Sequence, residues 1–192
     1  GALQHASRFG MTQLNLYTLH TNLALFSNFT YFLDDPVNGD QFSQFDKRYQ
    51  SAMNLSHLWV NRIGGLEVEN TAGIQFQNDV IDNGLLSTKQ RQTLSTTRKD
   101  HINQNSIGLY YQNSIQWLEK FRSVAGVRSD YYWFDVSSHQ AVNSGKRYDS
   151  ITNPKISLIF GPWAQTEFYF NYGGGFHSND ARGTTTTVDP KS

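Results

Sequence analysis

Apolar and polar residues alternate with a period of two through most of this chain, and that alternation restricts its fold more than any other feature. The clearest stretch is 66–76, in which Leu66, Ile74 and Phe76 fall on one face and Glu67 falls on the other. A helix would spread these side chains around its surface, whereas a strand sorts them by face. The same alternation recurs at 107–117, 122–133 and 167–172. The sequence therefore predicts an antiparallel β protein.

The connections between the predicted strands alternate between short and long. Short connections are predicted at 61–65, 118–120 and 161–164, with a fourth at 8–10. Longer polar connections are predicted at 34–44, at 78–100, at 137–149 and after His177. An up-and-down barrel of a bacterial outer membrane has this arrangement, with short periplasmic turns and long extracellular loops. A soluble sandwich has no reason to place all its short turns at one end.

Two of the predicted strands are very long, at 12–33 and 94–117. Strands of globular proteins are mostly about 5–6 residues long, and a membrane crossing needs about 9–11 residues. Strands of this length would cross a bilayer and extend well above it. In the first of them the alternation changes phase near Tyr17, which predicts a β-bulge there.

The four tryptophans are placed unevenly along the strands. Trp59, Trp117 and Trp163 each stand close to a short turn, whereas Trp133 lies beside Tyr131 towards the opposite end of its strand. Amphipathic rings favour the membrane interface, where one edge is wet and the other is apolar. These five aromatic residues are therefore predicted to contact outer-membrane lipid at its two interfaces, although tryptophan also ends strands in other β domains.

Composition excludes several classes of function. Sixteen Lys and Arg residues balance sixteen Asp and Glu residues, and this balance argues against a nucleic-acid partner held by bulk charge. The chain has no cysteine, which excludes disulfides, cysteine-based zinc sites and thiol catalysis. Its six histidines form no metal-ligand spacing such as HxH or HExxH. The sequence thus predicts no metal site, no cofactor and no catalytic residue, so the protein is not expected to be an enzyme.

Several stretches carry a family resemblance. SNFTYFLDDPVNGDQF at 27–42, NPKISLIFGPW at 153–163 and GFHSNDARG at 175–183 resemble strands and loops of TonB-dependent outer-membrane receptors. FRSVAGVRSD at 121–130 is similar to a strand theme of these barrels, in which a lumen-facing Arg and Asp stand beside outward apolar residues. The resemblance covers roughly residues 9–188.

The resemblance implies a fold, a location and a set of partners. Such receptors have an N-terminal plug inside a barrel of about 22 strands, and they take up ferric siderophores, cobalamin and other scarce nutrients with energy supplied through TonB. No plug-like region or TonB-contacting segment is visible here. Residues 1–192 are therefore expected to be part of the barrel domain, an antiparallel transmembrane wall of about seven to eight strands. The implied partners are a nutrient such as a ferric chelate, outer-membrane lipid, and TonB through an N-terminal region that is absent.

Two groups of residues are candidates for ligand contact in that setting. The first is a basic group in one predicted hairpin, and it would attract an anionic iron chelate to the mouth of the barrel. It consists of Lys89, Arg91, Arg98 and Lys99. The alternative is a solvated loop whose charge is offset by Asp79, Asp82 and Asp100.

The second group stands at the start of the last predicted extracellular loop. It consists of His177, Asn179, Asp180 and Arg182. These side chains either contact a ligand at the barrel mouth or pin the loop through hydrogen bonds to its own backbone.

Two other interpretations stay open from the sequence. One is a small, complete outer-membrane barrel with a structural or adhesion role. The other is a soluble β-sandwich or lipocalin-like binding module, which would have to turn its apolar faces inward around a core.

Overall fold

The structure, a computed structural model, describes residues 1–8 and 10–175 and consists of one antiparallel sheet. Each strand pairs with its neighbour in sequence, and β1 and β8 form the two edges of the described sheet, which does not close. The strands are β1 (Ala2–Ser7), β2 (Gly10–Ser27), β3 (Phe42–Ile63), β4 (Leu66–Lys89), β5 (Gln92–Leu118), β6 (Phe121–Ser138), β7 (Gly145–Trp163) and β8 (Thr166–Gly173). The predicted antiparallel up-and-down arrangement is confirmed. None of the helical structure in the described ranges has the length and apolar character needed to span a membrane.

At one end of the sheet, tight turns join the strands where the sequence predicted short connections. Two residues each connect β3 to β4, β5 to β6, and β7 to β8. In the first turn Gly64 and Gly65 both have positive φ angles, +59° and +82°, as the favoured two-residue hairpin turns require. This end, at which the three tight turns lie, is called the turn end below.

At the opposite end, one of the three long connections predicted within the described residues is wrong. Residues 28–41 form a long loop between β2 and β3. Residues 139–144, which include a 3₁₀ turn at Ala141–Asn143, connect β6 to β7. However, β4 and β5 run through the whole of 78–100 and meet in a two-residue turn at Gln90 and Arg91. Polar composition misled the prediction, because strand pairing depends on backbone hydrogen bonds and does not need apolar side chains.

The predicted bulge near Tyr17 is also wrong. The pairing of β2 with β3 is unbroken from Met11 opposite Leu58 to Ser27 opposite Phe42. The apolar residues of β2 therefore change from one face to the other: Leu14 and Leu16 lie on one face, and Leu19 and Leu23 lie on the opposite face.

The register divides the side chains into two faces with different chemistry in the half of the sheet near the turn end. One row of paired residues is apolar: Leu14, Leu55, Ile74 and Leu109. The adjacent row points to the opposite side and is polar: Asn15, Asn54, Gln75, Gly108 and Asp130. The face that carries the apolar row is called the outer face, and the face that carries the polar row is called the inner face.

Farther from the turn end, this sidedness inverts. On the outer face, the Phe76–Ile107 pair is followed by Asn78 opposite Asn105, and the Nδ2 group of Asn78 donates to the Oδ1 atoms of Asn103 and Asn105 at 2.8 and 2.7 Å. The inner face of the same segment instead carries a buried apolar cluster of Ile81, Ile102, Phe134 and Val136. An apolar outer face suits contact with lipid, and a polar outer face suits contact with water. We therefore predict that the strands leave a bilayer at the level of this inversion.

Candidate functional site

A polar pocket of about 450 Å³ lies on the inner face, in the half near the turn end. Five strands, β2 to β6, contribute side chains to it. Its lining includes Asn15, Tyr17, Asn54, Gln75, Gln104, Arg128, Asp130 and Tyr132. Amides, hydroxyls and one ion pair dominate this surface, which is therefore suited to water, polar ligands or a polar protein segment.

An ion pair between Arg128 and Asp130 forms the charged part of this pocket. The two residues are alternate positions of β6 and point to the inner face, as the family resemblance implied for 121–130. The Nε group of Arg128 donates to Oδ2 of Asp130 at 2.8 Å, and its Nη2 group donates to Oδ1 at 2.7 Å. The Asp130 side chain is only 3% exposed, so the pair neutralises a buried carboxylate.

The neighbouring strand leaves room for this pair. Gly108 of β5 lies directly opposite Asp130. A Cβ atom at Gly108 would stand 2.4 Å from Nη2 of Arg128 and 2.6 Å from Oδ1 of Asp130. The guanidinium also lies 5.9 Å from the ring centroid of Tyr110, within reach of a cation–π interaction. Sequence analysis did not identify Gly108, although a glycine within a strand does signal a close approach of this kind.

The structure separates the four basic residues that the sequence grouped together. Lys89 and Arg91 lie at the tip of the β4–β5 hairpin, where the Nζ group of Lys89 donates to the backbone oxygen of Val37 at 3.1 Å. The Arg91 guanidinium lies 5.3 Å from the ring centroid of Phe26. Both cations are therefore engaged with neighbouring parts of the chain.

The other two basic residues point to opposite faces. Arg98 faces inward and donates through Nε to Oδ2 of Asp100, at 2.5 Å, and Asp100 is 1% exposed. Lys99, the next residue along β5, is opposite Gly84 on the outer face and is exposed. The four cations thus form no single cluster. The second predicted group, His177, Asn179, Asp180 and Arg182, lies outside the described residues.

Two aspartates organise the long loop at 28–41. The Asp40 carboxylate accepts hydrogen bonds from the backbone N–H groups of Leu33, Asp34 and Asp35, at 2.8–3.2 Å. The Asp35 carboxylate accepts bonds from the N–H groups of Val37 and Asn38, at 2.9 and 2.8 Å. Sequence analysis missed this role, although Asp, Pro, Asn and Gly in close succession are typical of a turn built on side-chain bonds to the backbone.

These bonds lower the pKa of both loop carboxyl groups. For Asp35 the main cause is the N–H group of Asn38, followed by the Asn38 side chain and the N–H group of Val37. For Asp40, desolvation acts to raise the pKa, but hydrogen bonds from the backbone of Asp35 and Asp34, the Thr30 side chain and the Leu33 backbone together lower it. Both groups are consequently held in the charged form that the loop needs.

The loop is well bonded internally, yet it presents large apolar side chains to the outside. Phe29 is 79% exposed, Tyr31 68% and Leu33 74%. A pocket of about 380 Å³ lies beside the loop and includes Asp34, Asp40, Phe42 and Leu85 in its lining. Contiguous exposed apolar side chains of this kind mark interaction surfaces more often than isolated ones do.

The aromatic residues predicted for the membrane interface lie at two levels of the sheet. Trp59, Trp117 and Trp163 are near the turn end; the ring centroid of Trp59 is 6.3 Å from that of Tyr111, and the Trp117 Nε1 group donates to Ser123 Oγ at 2.7 Å. Tyr131 and Trp133 stand on the outer face beside the level of inversion. Their contact with lipid stays a prediction.

Among the described residues, no group of three or more His, Cys, Asp or Glu side chains could hold a metal ion. On the inner face Arg98 pairs with Asp100 and Arg128 pairs with Asp130, and the two ion pairs are separate. This arrangement provides polar contact surfaces rather than a chelating centre.

Comparison with known proteins gives a family match and a structural match. Residues 2–190 match the family described as TonB dependent receptor-like, beta-barrel. The fold is similar to that of the ferric citrate transporter FecA in its unliganded form, with a TM-score of 0.74 at 11% sequence identity. That match covers 90% of this chain and 26% of FecA, so the chain spans about a quarter of that protein's length. A comparison with curated proteins gives no significant match.

Proposed function

This chain belongs to the TonB-dependent receptor β-barrel family, and from that premise we propose that it forms part of the wall and extracellular rim of a receptor that takes up a ferric chelate. Proteins of this family lie in the outer membrane, and so does this chain. The proposed action is binding followed by gated passage, with energy supplied through TonB and without covalent chemistry.

The observation that carries the proposal is the opposite chemistry of the two faces. The outer face is apolar in the half near the turn end, where Ile74 and Leu109 pair, and the inner face at the same level carries Gln75 and the Arg128–Asp130 pair. A wall between hydrocarbon and a hydrated lumen has this arrangement. A soluble sandwich or lipocalin-like module would need the reverse.

The proposal extends to the part of the receptor that these residues form. We infer that residues 1–192 belong to a larger barrel domain whose plug and remaining strands lie outside them. The two unpaired edges, β1 and β8, support this inference, because an open sheet edge in lipid leaves backbone groups without partners. The FecA match, to about a quarter of a transporter, agrees with it. A complete barrel of eight strands would need β1 and β8 to pair, which they do not do in the described chain.

A ferric chelate is the proposed ligand because the structural relative is described as a ferric citrate transporter. In this chain Lys89, Arg91 and Arg98 are engaged with other groups, so attraction of an anionic chelate by these three cations is not part of the proposal. The lumen pocket beside Arg128 and the exposed loop at 28–41 are the proposed contact surfaces.

Uptake of radioactive iron by cells tests this function. Cells that lack the gene would be complemented with the full-length receptor and supplied with ferric citrate, a ferric hydroxamate or a ferric catecholate. We expect one of these chelates to support uptake that is lost in cells without TonB. Uptake of another nutrient but of no iron chelate would reject the ligand and keep the receptor role, and TonB-independent uptake would reject the mechanism.

A further inference from the structure

Two connections that are far apart in sequence meet at the extracellular end of the sheet. The loop at 28–41 joins β2 to β3, and the tip of the β4–β5 hairpin, residues 88–92, stands next to it. The sequence predicted two independent polar segments here. The structure instead joins them through backbone and side-chain bonds.

Gln41 is the centre of the junction. Its backbone oxygen accepts from the N–H group of Thr88 at 2.8 Å. Its side-chain Oε1 atom accepts from the Thr88 hydroxyl at 3.2 Å and from the N–H group of Arg91 at 2.9 Å. Thr88 is 1% exposed, so this contact is shielded from water. One loop residue therefore bonds both sides of the hairpin turn.

Lys89 forms a second connection a few residues away. Its Nζ group donates to the Val37 backbone oxygen at 3.1 Å and to Asn38 Oδ1 at 3.3 Å. The Nδ2 group of Asn38 donates in turn to Asp35 Oδ2 at 3.1 Å. Because Asp35 also holds the loop backbone, the hairpin is linked to the bonds that fix the loop conformation.

We propose that the loop at 28–41 and the hairpin tip at 88–92 form one cooperative structure, the rim unit, which opens only as a whole. In this arrangement the loop is a fixed part of the rim and not an independently moving lid. Lys89 and Arg91 hold the rim together instead of recruiting a ligand. The apolar side chains of Phe29, Tyr31 and Leu33 are presented on a preorganised support, so a ligand that contacts them meets an ordered surface.

Hydrogen exchange of backbone amides tests whether the rim unit opens as one. In the full-length receptor, the amides of loop residues Leu33 and Asp40 and those of hairpin residues Thr88 and Arg91 are expected to exchange at a common opening rate. Gln41→Ala removes the side-chain bonds to Thr88 and Arg91 and keeps the backbone bond from Thr88. It should accelerate exchange about tenfold in the loop and the hairpin together, which corresponds to about 1.4 kcal/mol. Acceleration in the loop alone, or no acceleration, would overturn the proposal.

Further variants separate the rim unit from general damage. Lys89→Met keeps the aliphatic chain and removes the donors, and it should accelerate exchange in both segments to a smaller extent. Lys99→Met removes a cation from the outer face of β5 and should leave both rates unchanged. Compact migration of the unheated barrel in detergent gels confirms that each variant has folded. If a folded Lys89→Met receptor exchanges like the parent in both segments, the link through Lys89 is wrong.

Discussion

The guanidinium of Arg128 neutralises the buried carboxylate of Asp130, which lies two residues later on the same strand. Nη2 of Arg128 donates to Oδ1 of Asp130 at 2.7 Å, and Nε donates to Oδ2 at 2.8 Å. Both side chains lie on the inner face because alternate residues of a strand share a face. The Asp130 side chain is 3% exposed and that of Arg128 is 39% exposed. The acid is thus shielded by its neighbours, while the base still reaches the lumen.

The first prediction concerns the space beside this pair. Gly108→Val places a side chain where Arg128 and Asp130 meet, and we expect it to lower the free energy of unfolding by about 1–3 kcal/mol, as overpacking does. Urea unfolding of the full-length receptor in micelles measures the loss. Gly173→Val is the matched control, because a Cβ at Gly173 would approach no described atom closer than 3.6 Å. Equal stability of the two variants would contradict the packing argument.

The second prediction concerns the charges themselves. Arg128→Met leaves the Asp130 carboxylate buried without its partner, and we expect a loss of about 1–3 kcal/mol in the free energy of unfolding. Adding Asp130→Asn should recover part of that loss, because the unpaired charge is removed. Lys146→Met breaks an exposed ion pair with Asp135 and should have no measurable effect. A double variant that is less stable than Arg128→Met would argue against an unpaired charge as the cause.

The third prediction concerns the inversion of the outer face. Leu109→Arg places a cation on the apolar part of the outer face and should destabilise the folded barrel by about 2–4 kcal/mol if it lies near the bilayer midplane. Asn103→Arg lies on the same face of the same strand, beyond the level of inversion, and should cost little. Refolding into lipid vesicles at increasing urea concentrations measures the stability of the two variants. A similar cost for both variants would mean that the membrane boundary lies elsewhere.

The fourth prediction concerns the tryptophans. In receptors that keep a single tryptophan of this chain, Trp59, Trp117, Trp163 or Trp133, its fluorescence should be quenched most by lipids brominated near the headgroup. The physical reason is the preference of the indole ring for the interface. Lipids brominated at the chain ends serve as the comparison. Strongest quenching by the chain-end lipids, or no quenching by either lipid, would show that the residue does not lie at the interface.

The fifth prediction concerns acid. Hydrogen bonds hold the pKa values of Asp35 and Asp40 below the usual value of an aspartate, so their contribution to loop stability is present at neutral pH and is lost as the pH falls through the lowered values. Exchange protection factors of residues 31–41 should hold at neutral pH and fall in strong acid. Asp40→Asn should lower them already at neutral pH. Asp34→Asn is the control, because residue 34 bonds to the Asp40 carboxylate through its backbone N–H group, which the substitution keeps. Unchanged protection in Asp40→Asn would contradict the role of this carboxylate.

Alternation alone predicted the architecture of the sheet. The pattern at 66–76 placed Leu66, Ile74 and Phe76 on one face, and the observed register agrees. The same pattern could have separated Arg98 from Lys99, because adjacent strand residues point to opposite faces. A polar loop at 78–100 has no such alternation of faces, so the prediction of a loop there grouped the two residues together.

The remaining differences arise from long-range effects. The phase change near Tyr17 suggested a bulge, but the strand is unbroken and its apolar residues move from one face to the other at the level where the whole sheet inverts. The bonds from Gln41 to Thr88 and Arg91 join segments about fifty positions apart, which alternation within one strand cannot reveal. Both features depend on neighbouring strands, which a single stretch of sequence does not include.

The inversion between Phe76 and Asn78 also means that the sheet determines its own immersion depth. A shift towards the periplasm by one residue pair would draw the Asn78–Asn105 pair into hydrocarbon, and a shift outward would expose the Phe76–Ile107 pair to water. Both displacements raise the free energy, since buried amides and hydrated apolar surface are each unfavourable. The sheet is therefore expected to resist vertical drift in either direction and to hold the rim at a constant height above the bilayer.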